Sequence, residues 1–184
     1  MKKQVSKVET TQDIIIARKV KAFEKREIKK LFIKIIEICL VIWIIFFVIY
    51  GIKVQKNQDM FPSIREGDIL LYLRVGLDLN SGDIIIFNKE GKSYTSRIVA
   101  MPGDVVDISE NGELIINGNV QQEEIFFDTY KIGEDRTYPY QVEEDSYFVL
   151  GDYRTESVDS RIFGTVYKDE IDGEVFNFYR KRNL

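Results

Sequence analysis

Three stretches hold the residues whose types and order could do chemistry. The first is Asp59-Met60-Phe61-Pro62-Ser63, followed by Gly67-Asp68. The second is Ser96-Arg97-Ile98-Val99, leading into Pro102-Gly103-Asp104. The third runs from Gly151-Asp152-Tyr153-Arg154 through Ser157, Asp159, Ser160 and Arg161 to Gly164. Asp59, Asp152 and Asp159 offer carboxylates for acid–base work, and Ser63, Ser96 and Ser157 offer hydroxyls. An aspartic-protease-like site would require Asp59 to share one proton with a second carboxylate, Asp152 or Asp159. Asp159, two residues before Arg161, reads instead as half of a structural ion pair. Ser63 beside Pro62 reads as a turn residue, and the Gly-Asp pairs are turn formers first.

Composition removes several other chemistries. The chain has no histidine, which excludes a Ser-His-Asp triad, a Cys-His dyad and histidine-ligated metal. Its one cysteine, Cys39, allows no disulfide and no cysteine zinc site within the chain. Cys39 reads as a small apolar filler, with acylation as the alternative. No metal site and no cofactor is expected.

The elements that position these stretches begin with an anchor. Residues 1–30 form a basic tail, and residues 31–52 are expected to be a transmembrane helix. Lys34 and Glu37 can pair on that helix, and Lys34 can reach the inner headgroups. From Ile14 to Lys30 the pattern suits either an extension of this helix or a basic surface helix. A cleavable signal peptide fits less well, because the basic leader is long and no small-x-small site follows. Residues 1–34 carry eleven Lys/Arg against four Asp/Glu, whereas the remainder is acidic. That asymmetry places the N-terminus inside and residues 53–184 outside the cell membrane. It also argues against nucleic-acid binding by the main domain.

Beyond Lys53 the chain reads as short β-strands. They are expected at Asp68–Val75, Asp83–Phe87, Tyr94–Met101, Val105–Ser109, Glu113–Ile116, Ser146–Leu150, Thr165–Tyr167 and Glu174–Tyr179. Asn111-Gly112 predicts a type I′ hairpin and Asn117-Gly118 a second tight turn. Residues 121–144 are acidic and irregular, with Phe126, Phe127, Tyr130 and Tyr138 as anchors. The fold expected is mainly β, coiled sheets or a partly closed barrel behind one N-terminal transmembrane helix.

The three stretches resemble the boxes of type I signal peptidases (the S26 family) of the Gram-positive kind, from about Leu31 onward. Met60-x-Pro62 with Gly67-Asp68 is similar to the family's Ser-Met-x-Pro-Thr box and its following Gly-Asp. Arg97-Ile98-Val99 through Pro102-Gly103-Asp104 is similar to its Lys-Arg-Val and Pro-Gly-Asp box. The third stretch is similar to its Gly-Asp-Asn-Arg…Ser-x-Asp-Ser-Arg box. The resemblance implies a serine nucleophile and a lysine base, but Asp59 and Ser96 stand at those two positions. Asn57-Gln58 before Asp59, and Tyr153 in place of Asn, also depart from the pattern. Ser157 matches a serine that assists the lysine.

From this resemblance follows the expectation of a non-enzyme: a catalytically inactive homologue that binds secreted or pilin precursors. Its implied role is to assist a sortase in pilus assembly. The peptide cleft would comprise Asp59, Met60, Phe61, Pro62, Ser63, Ser96, Arg97 and Ser157, with Asp159 and Arg161 as a structural pair. The surface around Phe61, Ile64 and the first strand is expected to meet membrane lipid. The Asp59 carboxylate is expected to hydrogen-bond Ser96 or Ser157. The alternatives are an active signal peptidase with a non-standard site, and a membrane scaffold with a vestigial cleft.

Overall fold

The computed structural model describes residues 11–122, 125–132 and 137–180. Residues 1–10 of the basic tail and 123–124 and 133–136 of the acidic segment lie outside the described residues. The chain divides into two units, Met1–Ile45 and Phe46–Leu184.

The first unit is helical. Helix α1 spans Thr11–Ile44, so Ile14–Lys30 continues the apolar helix. The stretch is long and apolar enough to cross a membrane. A π-helical turn, Ile45–Ile49, follows and gives way to strand β1 at Tyr50–Val54 in the second unit. Residues 50–52, expected in the helix, therefore belong to a strand. The alternating Tyr50-Gly51-Ile52-Lys53-Val54 pairs antiparallel with β2, Ile69–Leu73. An extended chain with aromatic Tyr50 and β-branched Ile52 and Val54 at every second position suits such a ladder better than another helical turn.

The remaining strands are β3 (Ile84–Lys89), β4 (Lys92–Ala100), β5 (Val105–Ile108), β6 (Leu114–Ile116), β7 (Asn119–Val120), β8 (Tyr140–Gln141), β9 (Ser146–Leu150), β10 (Val166–Tyr167) and β11 (Ile171–Tyr179). They form a seven-stranded sheet, β1-β2-β11-β3-β4-β9-β10, and a four-stranded sheet, β7-β6-β5-β8. Both sheets are open. Among the described residues no ladder joins their edges, and β7, β8 and β10 are too short to make one. The expected partly closed barrel is therefore replaced by two open sheets.

The turns follow backbone chemistry that dipeptides show only in part. Asn117-Gly118 joins β6 to β7 with φ of 53° and 77°, the pair of positive values that a type I′ turn requires. Glu90-Gly91 does the same between β3 and β4, at 52° and 76°. At Asn111-Gly112 only the glycine has positive φ, 83°, so the expected type I′ hairpin is not formed. There Gly112 N–H donates to the Ser109 carbonyl and Ser109 N–H to the Glu113 carbonyl. That makes a longer loop with one left-handed glycine.

Three apolar clusters lie under these sheets. The one that matters for the site joins Met60, Ile64, Leu70, Tyr72 and Ile86, all buried. It fixes the loop between β1 and β2 from below, through the first apolar side chains of the Asp59–Ser63 stretch.

Candidate active site

The first stretch is a turn of chain between β1 and β2. Ile64 N–H closes it on the Met60 carbonyl at 2.8 Å, and both side chains point into the core. Asp59 and Phe61 are half-buried above them. The Phe61 ring meets Tyr153 (centroids 5.7 Å apart) and Phe127 (6.3 Å), and Arg65 covers it. Tyr153 thus contributes an aromatic wall to the cluster. Of the expected anchors in the acidic segment, Phe127 joins this cluster whereas Phe126 is 85 % exposed.

The third stretch is bound to the first at very short range. Tyr153 N–H donates to the Asp59 carbonyl at 2.9 Å. A Cβ at Gly151 would lie 2.5 Å from that carbonyl oxygen and 2.3 Å from Ser157 Cβ, so only glycine permits the approach. Behind it, the Asp159 carboxylate caps the short helix α2 (Ser160–Phe163) and holds Arg161 with Nη2–Oδ2 at 2.8 Å. Both side chains are fully buried. Ser157 Oγ donates to Asp159 Oδ2 at 2.7 Å, and Arg161 Nη2 donates to Ser157 Oγ. Arg161 also donates to the Tyr130 carbonyl, and Arg154 donates to Thr129 Oγ1 at 2.6 Å. Two buried arginines thus hold part of the acidic segment against the third stretch.

Second and third stretches meet through a fork-to-fork ion pair. Arg97 Nε and Nη2 donate to the two oxygens of buried Asp152 at 2.8 and 2.6 Å. With Asp152 on Arg97 and Asp159 on Arg161, each candidate second carboxylate is held by a guanidinium rather than by a proton shared with Asp59.

Asp59 itself accepts hydrogen bonds from the Asn57 side chain and the Val158 backbone. Burial pushes its carboxyl above the usual range, and the nearby Asp159 charge adds to the rise; Asn57, Val158 and Lys53 oppose it. The expected hydrogen bond from Ser96 or Ser157 to this carboxylate is not formed among the described residues. The reason is competition: Ser157 already donates to Asp159. Ser96, buried in mid-strand, has a hydroxyl without a partner.

One residue that the sequence did not single out, Lys53, stands in the same region. Lys53, on β1, reaches toward β4 and contacts Ser93 Oγ at 2.9 Å, the Tyr94 carbonyl at 2.8 Å and Thr95 Oγ1 at 3.1 Å. Burial pulls its ammonium down to about 8; Lys56 adds to the fall, whereas Asp172 and Asp59 oppose it. A groove of about 430 Å³ lies here, lined by Lys53, Gln55, Asn57, Ser93, Thr95 and other residues. A second cavity, about 330 Å³, lies by Ser63, Arg97 and Leu114. The signal in the sequence was alternation: Lys53 sits mid-strand, six residues before Asp59, where a buried amine needs acceptors from its neighbour.

With the site's geometry in view, comparison with known proteins decides the family. Residues 25–179 match the family model described as signal peptidase, peptidase S26. The chain belongs to the S26 signal peptidase family. It is 35 % identical over 145 residues to signal peptidase I P of Bacillus subtilis subsp. natto, covering 71 % of this chain and 77 % of that one. It is 31 % identical over 144 residues to signal peptidase IB of Staphylococcus aureus strain COL, covering 67 % and 75 %. A crystal structure of a signal peptidase I from Enterococcus faecalis V583 matches 53 % of this chain and 97 % of that one at 28 % identity, with a TM-score of 0.43. These relatives are named as enzymes, and they overturn the expectation of a non-enzyme. Asp59 and Ser96 had prompted that expectation, but they bear on two positions only, whereas the family points to peptidase chemistry. The apolar helix and the family together mark a membrane-anchored protein.

Proposed function

We propose that this member of the family is a membrane-anchored peptidase that takes secreted precursors as extended chains. Its N-terminus would lie on the cytoplasmic side and its β unit outside, as the charge asymmetry of the sequence favours. The observation that carries the reading is an open strand edge. β4 pairs with β3 from Lys92 to Arg97, but with β9 only from Arg97 to Ala100. Among the described residues, 92–96 therefore have no strand on their second side, and the groove beside Lys53 runs along them. An unpaired edge accepts an incoming peptide as an added strand, with affinity from main-chain hydrogen bonds. In this reading Asp59, Phe61, Pro62 and Ser63 would form one wall with Met60 as its buried support and Ser157 behind Asp59, and Ser96 and Arg97 would belong to the β4 side.

Membrane lipid would meet only part of the surface expected in the sequence, the first expected strand (now β2) but not Phe61 or Ile64. Ile64 is fully buried and Phe61 is covered, whereas Ile52, Val54, Ile69, Phe176 and Phe178 are exposed on β1, β2 and β11. That apolar set belongs in an interface, and a headgroup layer is the one an anchored protein offers. No feature of the described residues selects a pilin or a sortase, so the reading stops at the secreted precursor.

The test is cleavage of a secreted precursor by the full-length protein in detergent. Release of one discrete leader fragment is the expected outcome. An intact precursor, under conditions in which a Bacillus signal peptidase cuts it, would refute the reading.

A further inference from the structure

The geometry points to Lys53 and Ser93 as a nucleophile–base pair acting on the extended peptide, with Ser93 Oγ attacking and Lys53 Nζ as its base. This rests on the peptidase reading and adds the residues that would carry out the reaction. Their atoms lie 2.9 Å apart on facing elements, at the open edge of β4. Ser93 is exposed, so its hydroxyl is within reach of a chain lying along that edge. As an ammonium, Nζ donates to Ser93 Oγ, the Tyr94 carbonyl and Thr95 Oγ1. Once deprotonated it would keep two N–H bonds for Tyr94 and Thr95 and turn its lone pair to the Ser93 hydroxyl. The charged groups around the amine are Asp172 on β11, Asp59 and Lys56 on the loop, and Lys92 on β4. Burial outweighs the two carboxylates, and an amine that titrates near 8 supplies a useful fraction of base at mildly alkaline pH.

The step balances without any other reagent. Lys53 takes the Ser93 hydroxyl proton as Oγ bonds to the peptide carbonyl carbon. The resulting ammonium returns that proton to the departing amine as the C–N bond breaks, leaving an acyl ester on Ser93. Water, deprotonated by Lys53, then attacks the ester and releases the carboxylic product and the free hydroxyl.

Two readouts on the full-length protein in detergent separate this pair from the broader reading. Labelling with a fluorophosphonate, mapped by mass spectrometry, should fall on Ser93, rise with pH about a midpoint near 8, and drop about 10²-fold or more in Lys53→Met. Lys53→Arg keeps the cation but not the base and should be equally silent. Precursor cleavage should be lost in Ser93→Ala, a change of one exposed oxygen. Absence of label on Ser93, or Ser93→Ala cutting at the wild-type rate, overturns the pair and makes Lys53 a strand pin only. Cleavage by that variant would leave the peptidase reading standing. Label on Ser93 with no precursor cleavage would do the reverse.

Discussion

Gly151→Ala should damage this protein out of proportion to the size of a methyl group. The new Cβ would lie 2.3 Å from Ser157 Cβ, 2.5 Å from the Asp59 carbonyl oxygen and 2.6 Å from Ser157 Oγ. Ordinary contact requires roughly 1 Å more on each side. Neither neighbour is free to give it. The Asp59 carbonyl is held by Tyr153 N–H, and Ser157 is tied into the Asp159–Arg161 pair. Overpacking costs about 1–3 kcal/mol, and loss of the Tyr153 hydrogen bond about 1 kcal/mol more. The expected destabilisation is about 2–4 kcal/mol. Urea unfolding of the full-length chain in detergent, followed by near-ultraviolet circular dichroism of the tyrosines, measures it. A midpoint within about 0.5 kcal/mol of wild type would refute the reasoning, because surface-like tolerance is incompatible with such close packing.

Arg161→Met should cost about 3–5 kcal/mol, since it leaves the Asp159 carboxylate buried without its cation; the same unfolding assay reads it. Asp59→Asn should be stabilising at neutral pH. The folded protein favours the protonated acid, so the group's contribution is fully present below the unfolded pKa and is lost as pH rises through its raised folded value. The Tm of the variant should therefore exceed wild type at pH 7 and match it near pH 3; equal values at both pH values would remove the burial argument.

The sequence displayed its boxes better than its contacts. Pro102-Gly103 and Gly151-Asp152 stop β4's outward run and β9 where expected, because glycine and proline act on their own backbone. Strand β1 was obscured by its place directly after an apolar run, where Tyr50 and Ile52 read as more helix. The Asn111-Gly112 turn was misread because the loop's length, set by pairing of Leu114 with Ile108, overrides the dipeptide. The Asp59–Ser157 distance and the reach of Lys53 to β4 depend on strands that meet only in three dimensions. No window of sequence contains both partners. Two-residue strands such as β7 and β8 carry no period at all.

The strand order has a bearing on how the protein is born. β11, Ile171–Tyr179, lies between β2 and β3, which have no ladder of their own. Until it emerges, the β1–β2 hairpin with its Asp59 loop cannot join β3 and β4 in one sheet. The groove beside Lys53 is built from both halves, so it is finished only when this late strand slides between them. A nascent chain crossing the membrane would carry the parts of the site but not the site, and its own unfinished body would be the first polypeptide spared.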